Sequence, residues 1–495
     1  PASAATARAR ERKDVAAFSV ETDEPAPGVG LGGASGSTAR SAPAPTSRWR
    51  STVLVFGAGA VAAPAVERLS RDPGRRVVVV SASRAELQAL HDRFAGKRAN
   101  VVGTHLEAPP PDVGKRDSTW AQALFAAHRP SAVISLLPQP FHDVVLRACL
   151  DGTGPGEKPV PLVTASYATT MDQALVQETT SRGGIVLTEM GLDPGIDHMS
   201  ACAAIRRAHD RLGLRVKSFE SSCGGLPAPE CADNALGYRL SWSPRGFLTA
   251  LRNPARFLRD GKVVDVPAGG APLLRAVEPY RLASLPSLAL ERLPNRDSLA
   301  YVPAYGLDAD ACDTVMRGTL RFEGFSTVML GFAEEGMLDL EPVDAAGTSS
   351  RLSDWMVRKG PAGRSAAYAR ALESLRVDAF ELREPLPGTR LDALCALFMD
   401  RLAMRPNKDR DLVVMEHRFT FHGSSRRETH TLVALGDVGG DTAMSRTVGL
   451  TAAVGVDVVL SEVARKTKAG LVRPTEPWVY EPALRSLAED EGIVL

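Results

Sequence analysis

The stretch "STVLVFGAGAVAAPAVERLS", residues 51–70, decides the fold. An apolar run leads into Gly57-Ala58-Gly59-Ala60-Val61-Ala62, a Gly-x-Gly-x-x-Ala turn that opens a helix. In such a turn the first glycine permits the tight bend, the second lets backbone approach a pyrophosphate, and the small last residue lets helix and strand pack. Amides at the helix start then face the phosphates. We expect a dinucleotide at Gly57, Gly59, Ala60 and Val61; the alternative is a glycine turn of structural use only.

Short apolar runs alternate with helical patterns from this turn onward. Helical patterns over 60–71, 84–96, 118–128, 140–150 and 170–182 each follow one of the runs "TVLVFG", "RVVVVS", "ANVVGT", "SAVISLL" and "PLVTAS". Buried runs that alternate with helices are typical of right-handed β-α-β units in a parallel sheet. The pattern predicts an NAD(P)-binding Rossmann domain over 51–165, completed by 440–480.

The ends of two predicted strands indicate how the nucleotide is held. The second strand ends "VVVVSASR", without the acidic residue that grips the ribose of NAD. Ser83 offers a hydroxyl and Arg84 a planar cation for a phosphate, so NADP is favoured and NAD stays the alternative. Arg84 could also be an ordinary solvated residue. The fourth strand ends at Ser135, Leu136, Leu137 and Pro138, where a doubly wound sheet lines its ligand crevice.

The pattern changes beyond about residue 212. Longer strands such as "LRVKSFESSC", "TVMRGTLRF" and "DLVVMEHRFTF" predict a mixed-sheet substrate domain over 166–335, with strands from 411–436. Helical segments over 336–405 predict a small helical insertion, and "DTAMSRTVGLTAAVGVDVVLSEVARK" predicts a buried helix. The fold class is therefore α/β: a Rossmann-type doubly wound parallel sheet with a second mixed-sheet α+β domain. Residues 1–50 are rich in Ala, Ser, Gly and Pro and are predicted to be a disordered linker or tail.

Composition limits the partners. Binding to nucleic acid or to a membrane surface needs basic residues clustered on one face. The formal net charge of +1 over 495 residues gives no reason to propose such a face, so we expect neither as partner. No window approaches eighteen consecutive apolar residues, so no membrane span is predicted. The six cysteines are scattered without zinc spacing and are predicted to be reduced thiols inside a cell. A small-molecule ligand fits best.

The stretch "TEMGLDPGIDHMS", residues 188–200, gathers acidic residues and a histidine. Asp193 and His198 are five apart, and Asp197 and His198 are adjacent, so they cannot form an i, i+4 ligand pair. We therefore predict no metal. Asp193 followed by Pro194 predicts a helix N-cap with proline at the first helical position, opening a helix over 194–210. Asp197 and His198 are then structural residues of the first turn.

The motifs together resemble a known family. "FGAGAVAAPAVERLS", "ISLLP", "VTASY", "GLDPGIDH", "SSCGGLPAPE", "LGYRLSWSPRG", "LPNRDSL", "RGTLRFEGF" and "TEPWVYEPALRSLAEDEGI" occur in order from residue 51 to the C-terminus. They resemble the glutamate-forming saccharopine dehydrogenases of lysine metabolism. The likeness is greatest to the dehydrogenase half of the bifunctional lysine-ketoglutarate reductase/saccharopine dehydrogenase. Residues 1–50 would then be the linker from a reductase half.

The resemblance implies a reaction and a set of residues. The family oxidises the secondary amine of saccharopine with NAD(P)⁺, and water releases glutamate and 2-aminoadipate 6-semialdehyde. It implies Tyr167, Asp193 and Cys223 as catalytic candidates, without deciding which is the base. The substrate-binding residues that it implies are Ser166, Tyr167, Asp193, Pro194, Gly195, Arg296, Thr319, Leu320 and Arg321. Each also has a plain structural alternative: a paired arginine, a half-buried aromatic, a helix cap or a core cysteine.

One departure and several alternatives stay open. The family usually has Tyr before the catalytic-site Cys, whereas this chain has Ser222, which puts the polarity around Cys223 in question. A dehydrogenase of another amino-dicarboxylate imine and a non-catalytic nucleotide-binding relative are the alternative functions. A homo-oligomer, a fused reductase domain and a cytoplasmic or mitochondrial location are further expectations.

Overall fold

The protein is described here by a computed structural model that covers residues 20–21, 49–154, 156–308, 310–343, 349–357, 365–467 and 469–494. Apart from 20–21 and 49–50, the predicted tail lies outside these residues. Internal contacts separate two compact units. The first unit comprises the described residues up to Thr188 together with Gly455–Val472, and the second comprises Glu189–Val454 and the residues from Arg473 onward.

Sixteen strands occur in the described residues: β1 (Val20–Glu21), β2 (Ser51–Phe56), β3 (Arg75–Ser81), β4 (Val101–His105), β5 (Ala132–Ser135), β6 (Leu162–Thr164), β7 (Ile185–Leu187), β8 (Val216–Pro227), β9 (Ala255–Arg259), β10 (Lys262–Val266), β11 (Glu278–Tyr280), β12 (Leu290–Pro294), β13 (Thr314–Phe322), β14 (Asp411–Phe421), β15 (Arg427–Leu435) and β16 (Gly470–Val472).

Fifteen α-helices occur in the same residues: α1 (Ala62–Ser70), α2 (Arg84–Phe94), α3 (Pro111–Gly114), α4 (Thr119–His128), α5 (His142–Asp151), α6 (Gln173–Ser181), α7 (Ile196–Leu212), α8 (Pro244–Ala250), α9 (Ala271–Arg275), α10 (Phe325–Glu334), α11 (Ala366–Ser374), α12 (Arg390–Leu402), α13 (Ala443–Leu460), α14 (Glu462–Lys466) and α15 (Pro477–Glu491).

The first unit is built on a parallel sheet. Its strand order is β1-β4-β3-β2-β5-β6-β7-β16, and every neighbouring pair is parallel. The chain moves outward from β2 to β3 and β4, and then returns to the other side of β2 to form β5, β6 and β7. Val53, Leu54, Val77 and Val78 are fully buried, as expected for strands covered on both faces. The predicted doubly wound sheet is confirmed, with its switch point between β2 and β5.

The sheet extends beyond the strands that the sequence predicted. β7 and β16 contain three residues each and pair with one another at the sheet edge. Their pairing places Gly470–Val472 in the first unit, whose contacts end at Thr188 rather than at the predicted residue 165. The other predicted domain boundaries stay predictions.

The second unit is built on a mixed sheet. The order is β10-β9-β13-β8-β14-β15, with β12 paired to β13 and β11 to β12. Only β13 and β8 pair in parallel; the other pairs are antiparallel. The long strands β14 and β15 form an antiparallel hairpin around "HGSSRR". The predicted mixed second sheet is confirmed.

Helices α11 and α12, from the predicted insertion, do not form a separate core. Leu391, Leu394 and Phe398 of α12 are buried in one cluster with Phe247 of α8 and Phe332 of α10. The helical segment therefore packs on helices that flank the mixed sheet within the second unit.

Helix α13 is the one described helix whose length and composition would suffice to cross a membrane. In the protein, 72% of its apolar window is buried. Core helices pass the same test of length and hydropathy, and the predicted burial of this segment is confirmed.

Candidate active site

The glycine turn after β2 has the geometry that the motif requires. Gly57 has φ +103°, and a Cβ added there would lie 3.3 Å from backbone atoms of Leu136. Its N–H donates to the carbonyl of Val80 at 2.8 Å. Gly59 and Ala60 are exposed, and α1 begins at Ala62 after the N-cap Val61. An open turn followed by a nine-residue helix fits a pyrophosphate.

The end of β3 forms a small hydrogen-bond network. The Ser83 hydroxyl accepts from the Glu86 N–H at 3.2 Å and caps α2. The Ser81 hydroxyl accepts from the Ser83 N–H at 3.1 Å and donates to Glu86 Oε2 at 3.2 Å. Arg84 is exposed, at the first position of α2. Ser83 thus has a structural role beside its predicted cofactor role, while Arg84 is accessible to a phosphate.

The end of β5 is connected to the segment after β6 by a histidine. Ser135 Oγ and Ser166 Oγ lie 2.8 Å and 2.7 Å from Nδ1 and Nε2 of His142. His142 is buried, and desolvation lowers its pKa to about 4, so the ring is neutral at pH 7. His142 is not among the predicted site residues, although it lies only four residues beyond the segment "ISLLP".

The remaining predicted residues of this unit lie near the same strand ends. The Leu136 N–H donates to the carbonyl of Phe56 at 2.8 Å, Leu137 is half-buried and Pro138 is exposed. Tyr167 is half-buried just beyond β6, and its carbonyl accepts from the Thr170 hydroxyl at 2.7 Å. Tyr167 therefore belongs to the first unit, whereas Asp193 and Cys223 belong to the second.

The loop before α7 differs from the prediction. Asp193 is not the N-cap and Pro194 is not the first helical residue: α7 begins at Ile196, and its N-cap is Gly195. The Gly191 N–H donates to the Pro194 carbonyl at 3.0 Å, which folds the loop back on itself. Gly195 has φ +149°, and a Cβ there would lie 2.1 Å from the Gly191 carbonyl oxygen. The predicted cap is wrong because the Asp193 carboxylate is held elsewhere.

Arg317 holds two carboxylates of this loop. Its Nη2 lies 2.6 Å from Asp193 Oδ1 and 2.7 Å from Asp197 Oδ2. Asn295 Nδ2 donates to the other oxygen of Asp193 at 3.2 Å. Arg317 is 1% exposed, and its guanidinium lies over the Tyr301 ring. The Asp193 carboxylate is therefore fixed by a buried cation and an amide, and Asp197 shares that cation.

Asp197 and His198 do lie in the first turn, as predicted, but they are part of a buried polar cluster. His198 Nδ1 lies 2.6 Å from the Tyr305 hydroxyl, and Nε2 lies 3.4 Å from Glu189. The ring stacks on Tyr301 at a centroid distance of 4.5 Å. Burial lowers the pKa of His198 well below its usual value. Among the described residues, no three His, Cys, Asp or Glu side chains are arranged to hold a metal.

Strand β13 presents three of the polar residues on one face. Arg317, Thr319 and Arg321 are two residues apart, so their side chains share a face. Thr319 pairs with Cys223 of β8, which puts Cys223 on that face too. Burial raises the pKa of the Cys223 thiol well above its usual value, so it is neutral at pH 7. The period of two, applied to "RGTLRF", could have identified Arg317 beside the predicted Arg321.

The departure at Ser222 lies on the opposite face of β8. Its hydroxyl accepts from Arg292 Nη1 at 3.3 Å, in a group that also contains Tyr280. The side chain of Leu320 is fully buried in an apolar cluster on that side. Ser222 therefore does not alter the polarity around Cys223. Any role of Leu320 in binding would belong to its backbone.

Arg321 is buried without a carboxylate partner. Its guanidinium lies 5.2–5.6 Å from the ring centroids of Tyr238, Phe247 and Phe325. Nη1 donates to the carbonyl of its neighbour Leu320 at 2.7 Å, and Nε has no hydrogen-bond partner. Within the described part of the chain, no acidic side chain is within ion-pair distance of Arg321. Because a buried charge without a counterion is costly, this geometry points to an anionic ligand.

Arg296 lies at the turn after β12. It has φ +52° and is half-buried, and the Asn295 before it is the residue that contacts Asp193. Its carbonyl accepts from the Arg256 N–H at 2.9 Å. The structure thus brings Asp193, Cys223, Arg296, Thr319 and Arg321 into one unit.

Family models match almost the whole described chain. Residues 53–183 match the saccharopine dehydrogenase NADP binding domain, and residues 191–493 match the saccharopine dehydrogenase C-terminal domain. The chain belongs to the saccharopine dehydrogenase family. This membership confirms the resemblance seen in the motifs and the predicted nucleotide cofactor.

Two comparisons with saccharopine dehydrogenases cover nearly the whole of both chains. The NADP⁺, L-glutamate-forming saccharopine dehydrogenase of Saccharomyces cerevisiae is 32% identical over 469 residues, which are 90% of this chain and 98% of the relative. The apo structure of saccharopine dehydrogenase (L-Glu forming) from the same yeast matches with a TM-score of 0.71 and 31% identity, over 90% of this chain and 98% of that one.

A longer relative is also similar. The mitochondrial alpha-aminoadipic semialdehyde synthase of Rattus norvegicus is 34% identical over 468 residues, which are 90% of this chain and 47% of the relative. This chain of the saccharopine dehydrogenase family therefore spans about half the length of the mammalian relatives that it matches.

Proposed function

We propose that the chain is an NADP-dependent, glutamate-forming saccharopine dehydrogenase, an oxidoreductase acting on a CH–NH donor. The reaction removes a hydride from the carbon beside the secondary amine nitrogen of saccharopine and leaves an imine. Water then adds to the imine carbon, and the C–N bond breaks to give glutamate and 2-aminoadipate 6-semialdehyde. Family membership supports this reaction, and the unpaired charge of Arg321 in the second unit is the observation that carries it.

Arg321 suits one of the three carboxylates of saccharopine. A guanidinium offers parallel N–H donors that match a carboxylate, and the rings of Tyr238, Phe247 and Phe325 keep it in place. Its unsatisfied Nε would gain a partner when an anion binds. We assign a second carboxylate to Arg296, which adjoins the Asn295–Asp193 pair, with Thr319, Pro194 and Gly195 as neighbouring contacts.

Asp193 is suited to hold a positively charged amine. Both of its oxygens already accept hydrogen bonds, from Arg317 and Asn295, and an ionised carboxylate has further lone pairs. Arg317 and the folded Gly191–Gly195 loop fix its position before the substrate arrives. Such fixed polar groups contribute to catalysis without reorganisation cost.

Imine hydrolysis also needs a group that accepts and returns a proton. Of the three candidates, Cys223 is the weakest, because burial raises the pKa of its thiol well above the usual value. Tyr167 and Asp193 remain. We propose that the variants Tyr167→Phe and Asp193→Asn, compared over a range of pH, separate the proton-transfer role from the amine-binding role.

The nucleotide would be held by the first unit's own backbone. Gly57, Gly59, Ala60 and Val61 form the open turn, and we assign Ser83, Arg84 and the strand end at Ser135–Pro138 to the same site. The nucleotide supplies the hydride acceptor. NADP is favoured over NAD because Arg84 is exposed and has no ion pair within the described residues.

The test is the formation of reduced nucleotide, followed by absorbance at about 340 nm, with purified protein, saccharopine and NADP⁺ or NAD⁺. We expect Arg321→Met to lower kcat/KM for saccharopine by roughly a hundredfold or more, because a buried charge-assisted pair is lost. Arg401→Met is the matched control, since Arg401 also lies over an aromatic ring, Phe380. If no reduced nucleotide formed with either cofactor, the proposed dehydrogenase activity would be wrong. If the protein oxidised a different amino-dicarboxylate but not saccharopine, the proposed substrate would be wrong.

The finer assignments are part of the same proposal. We infer that the chain corresponds to the dehydrogenase half of the longer relatives. A homo-oligomer and a cytoplasmic or mitochondrial location stay predictions, which light scattering of the purified protein and cell fractionation would check.

A further inference from the structure

Glu86 lies beside the predicted nucleotide turn. It is exposed in the first turn of α2, and its Oε1 is 3.6 Å from the position of a Cβ added to Gly59. Its other oxygen, Oε2, accepts from the hydroxyl of Ser81, the last residue of β3. The carboxylate therefore extends from the end of the second strand of the parallel sheet to the second glycine of the turn.

A helix-capping role does not account for this position. In "SRAE", Ser83 and Glu86 have the spacing of a capping box, in which the glutamate would accept from the N–H of the capping serine. Here the Ser83 N–H donates to Ser81 Oγ instead. Within the described residues, Glu86 Oε1 has no hydrogen-bond partner, and Glu86 forms no ion pair with Arg84 or any other cation.

The position is the one at which doubly wound folds distinguish dinucleotides. A carboxylate at the end of the second strand accepts from the ribose hydroxyls of NAD, whereas a nearby Arg accommodates the 2′-phosphate of NADP. In this chain the strand end itself has no acidic residue, but Glu86 brings a carboxylate back to it. Arg84 and Glu86 thus place opposite charges in the exposed first turn of α2, directly after the end of β3.

We propose that Glu86 is a specificity-determining residue for the nucleotide. Its carboxylate accepts hydrogen bonds from the 2′- and 3′-hydroxyls of the adenosine ribose and repels a phosphate on the 2′-oxygen. Arg84 acts in the opposite sense, so the native chain prefers NADP but discriminates only weakly against NAD. This inference rests on the proposed dinucleotide site and concerns only the preference between the two cofactors.

The test uses nucleotide fragments, so that it does not depend on catalysis. Binding of 2′,5′-ADP and 5′-AMP to the full chain is measured by isothermal titration calorimetry for the native protein, Glu86→Gln and Asp92→Asn. Glutamine keeps an acceptor for Ser81 but removes the charge. Asp92→Asn is the matched control, because it removes an exposed carboxylate from the same helix, where Asp92 accepts from Gln88 and from no other described side chain.

We expect Glu86→Gln to raise the affinity for 2′,5′-ADP relative to 5′-AMP by about tenfold at low salt, and by less at high salt. Asp92→Asn should leave this ratio within about twofold. An unchanged ratio in Glu86→Gln, or the same rise in Asp92→Asn, would overturn this inference alone. Failure of the native chain to bind either fragment would overturn it together with the proposed nucleotide site.

Discussion

Arg317 shows how one residue can organise a site that sequence motifs describe only in part. The motif "GLDPG" drew attention to Asp193, but nothing in that stretch indicates which cation faces it. The partner comes from a strand more than a hundred residues away, and both Asp193 and Asp197 meet the same Nη2 atom. Buried carboxylates of this kind need such a partner, because an isolated buried charge is strongly unfavourable.

Replacing Arg317 by Met should therefore destabilise the protein. The change leaves two carboxylates without their shared cation, and breaking a buried ion pair costs about 3–5 kcal/mol. Urea-induced unfolding at pH 7 measures the effect.

The control for Arg317 is Arg446→Met, which removes a surface ion pair with the largely exposed Asp437. Its loss should cost less than about 1 kcal/mol. If Arg317→Met lowered the free energy of unfolding by no more than the control does, the two carboxylates would have other partners. The predicted destabilisation would then be wrong.

At the scale of elements, the sequence predicts long and strongly patterned segments well. The strands β5 and β6 lie within the predicted runs, and β2, β3 and β4 each extend one residue beyond theirs. Each run is a continuous apolar segment bounded by turn residues. β7 and β16 are three residues long, as β6 is, but they were not predicted from the sequence. They form because the two segments, which are distant in the sequence, pair with each other, and this pairing stabilises strands that local β-propensity alone does not.

The predicted start of helix α7 was wrong. A local rule, Asp followed by Pro, favoured a helix beginning at residue 194. The structure instead places Gly195 in a conformation that suits only glycine, and Asp197 Oδ1 accepts the Gly195 N–H at 2.7 Å. Long-range pairing of Asp193 with Arg317 overrides the local signal.

Helix α5 gives a prediction about pH. His142, its first residue, is buried with a pKa of about 4, whereas an unfolded histidine has a pKa near 6.5. Between these values the unfolded chain binds one more proton than the folded chain, so folding stability falls as pH decreases from about 6.5 to about 4. From pH 7 to pH 5 this site alone should cost about 2 kcal/mol.

The variant His142→Gln keeps polar atoms near Ser135 and Ser166 but does not titrate in this range. Its free energy of unfolding should therefore fall between pH 7 and pH 5 by about 2 kcal/mol less than that of the native chain. His198 and His417 are also buried, and they give both proteins the same remaining pH dependence. Parallel pH profiles for the two proteins would contradict the assignment of a neutral His142.

At the scale of the whole molecule, the sequence predicted the kinds of residues in the site better than their arrangement. Gly57, Gly59 and Arg84 were predicted from local motifs; the structure has the expected turn at the two glycines, and it leaves Gly59 and Arg84 exposed. Arg321 came from a resemblance, and its aromatic surroundings arise from residues between 238 and 325 that no short motif connects. Tyr301 and Tyr305 were missed because their partners Glu189 and His198 are more than a hundred residues away. His142 was missed although one of its partners, Ser135, lies nearby in the sequence.

The division into two units allows nucleotide and substrate binding to be tested separately. A ligand that binds only the folded state stabilises it, by about 2.7 kcal/mol at a hundred times its dissociation constant. Gly57→Ala places a Cβ at a strained φ, 3.3 Å from the Leu136 backbone, and should disturb the nucleotide turn. Arg321→Met removes the cation proposed for a carboxylate of saccharopine. The two variants change different units.

We therefore expect opposite responses to the two ligands. NADP⁺ should raise the melting temperature of the native chain and of Arg321→Met but not of Gly57→Ala, each compared with its own ligand-free form. Saccharopine should stabilise the native chain and Gly57→Ala but not Arg321→Met. Scanning calorimetry measures both shifts. If either variant lost both responses, its residue would act on the whole fold rather than on one ligand, and the assignment of that residue to a binding role would be wrong.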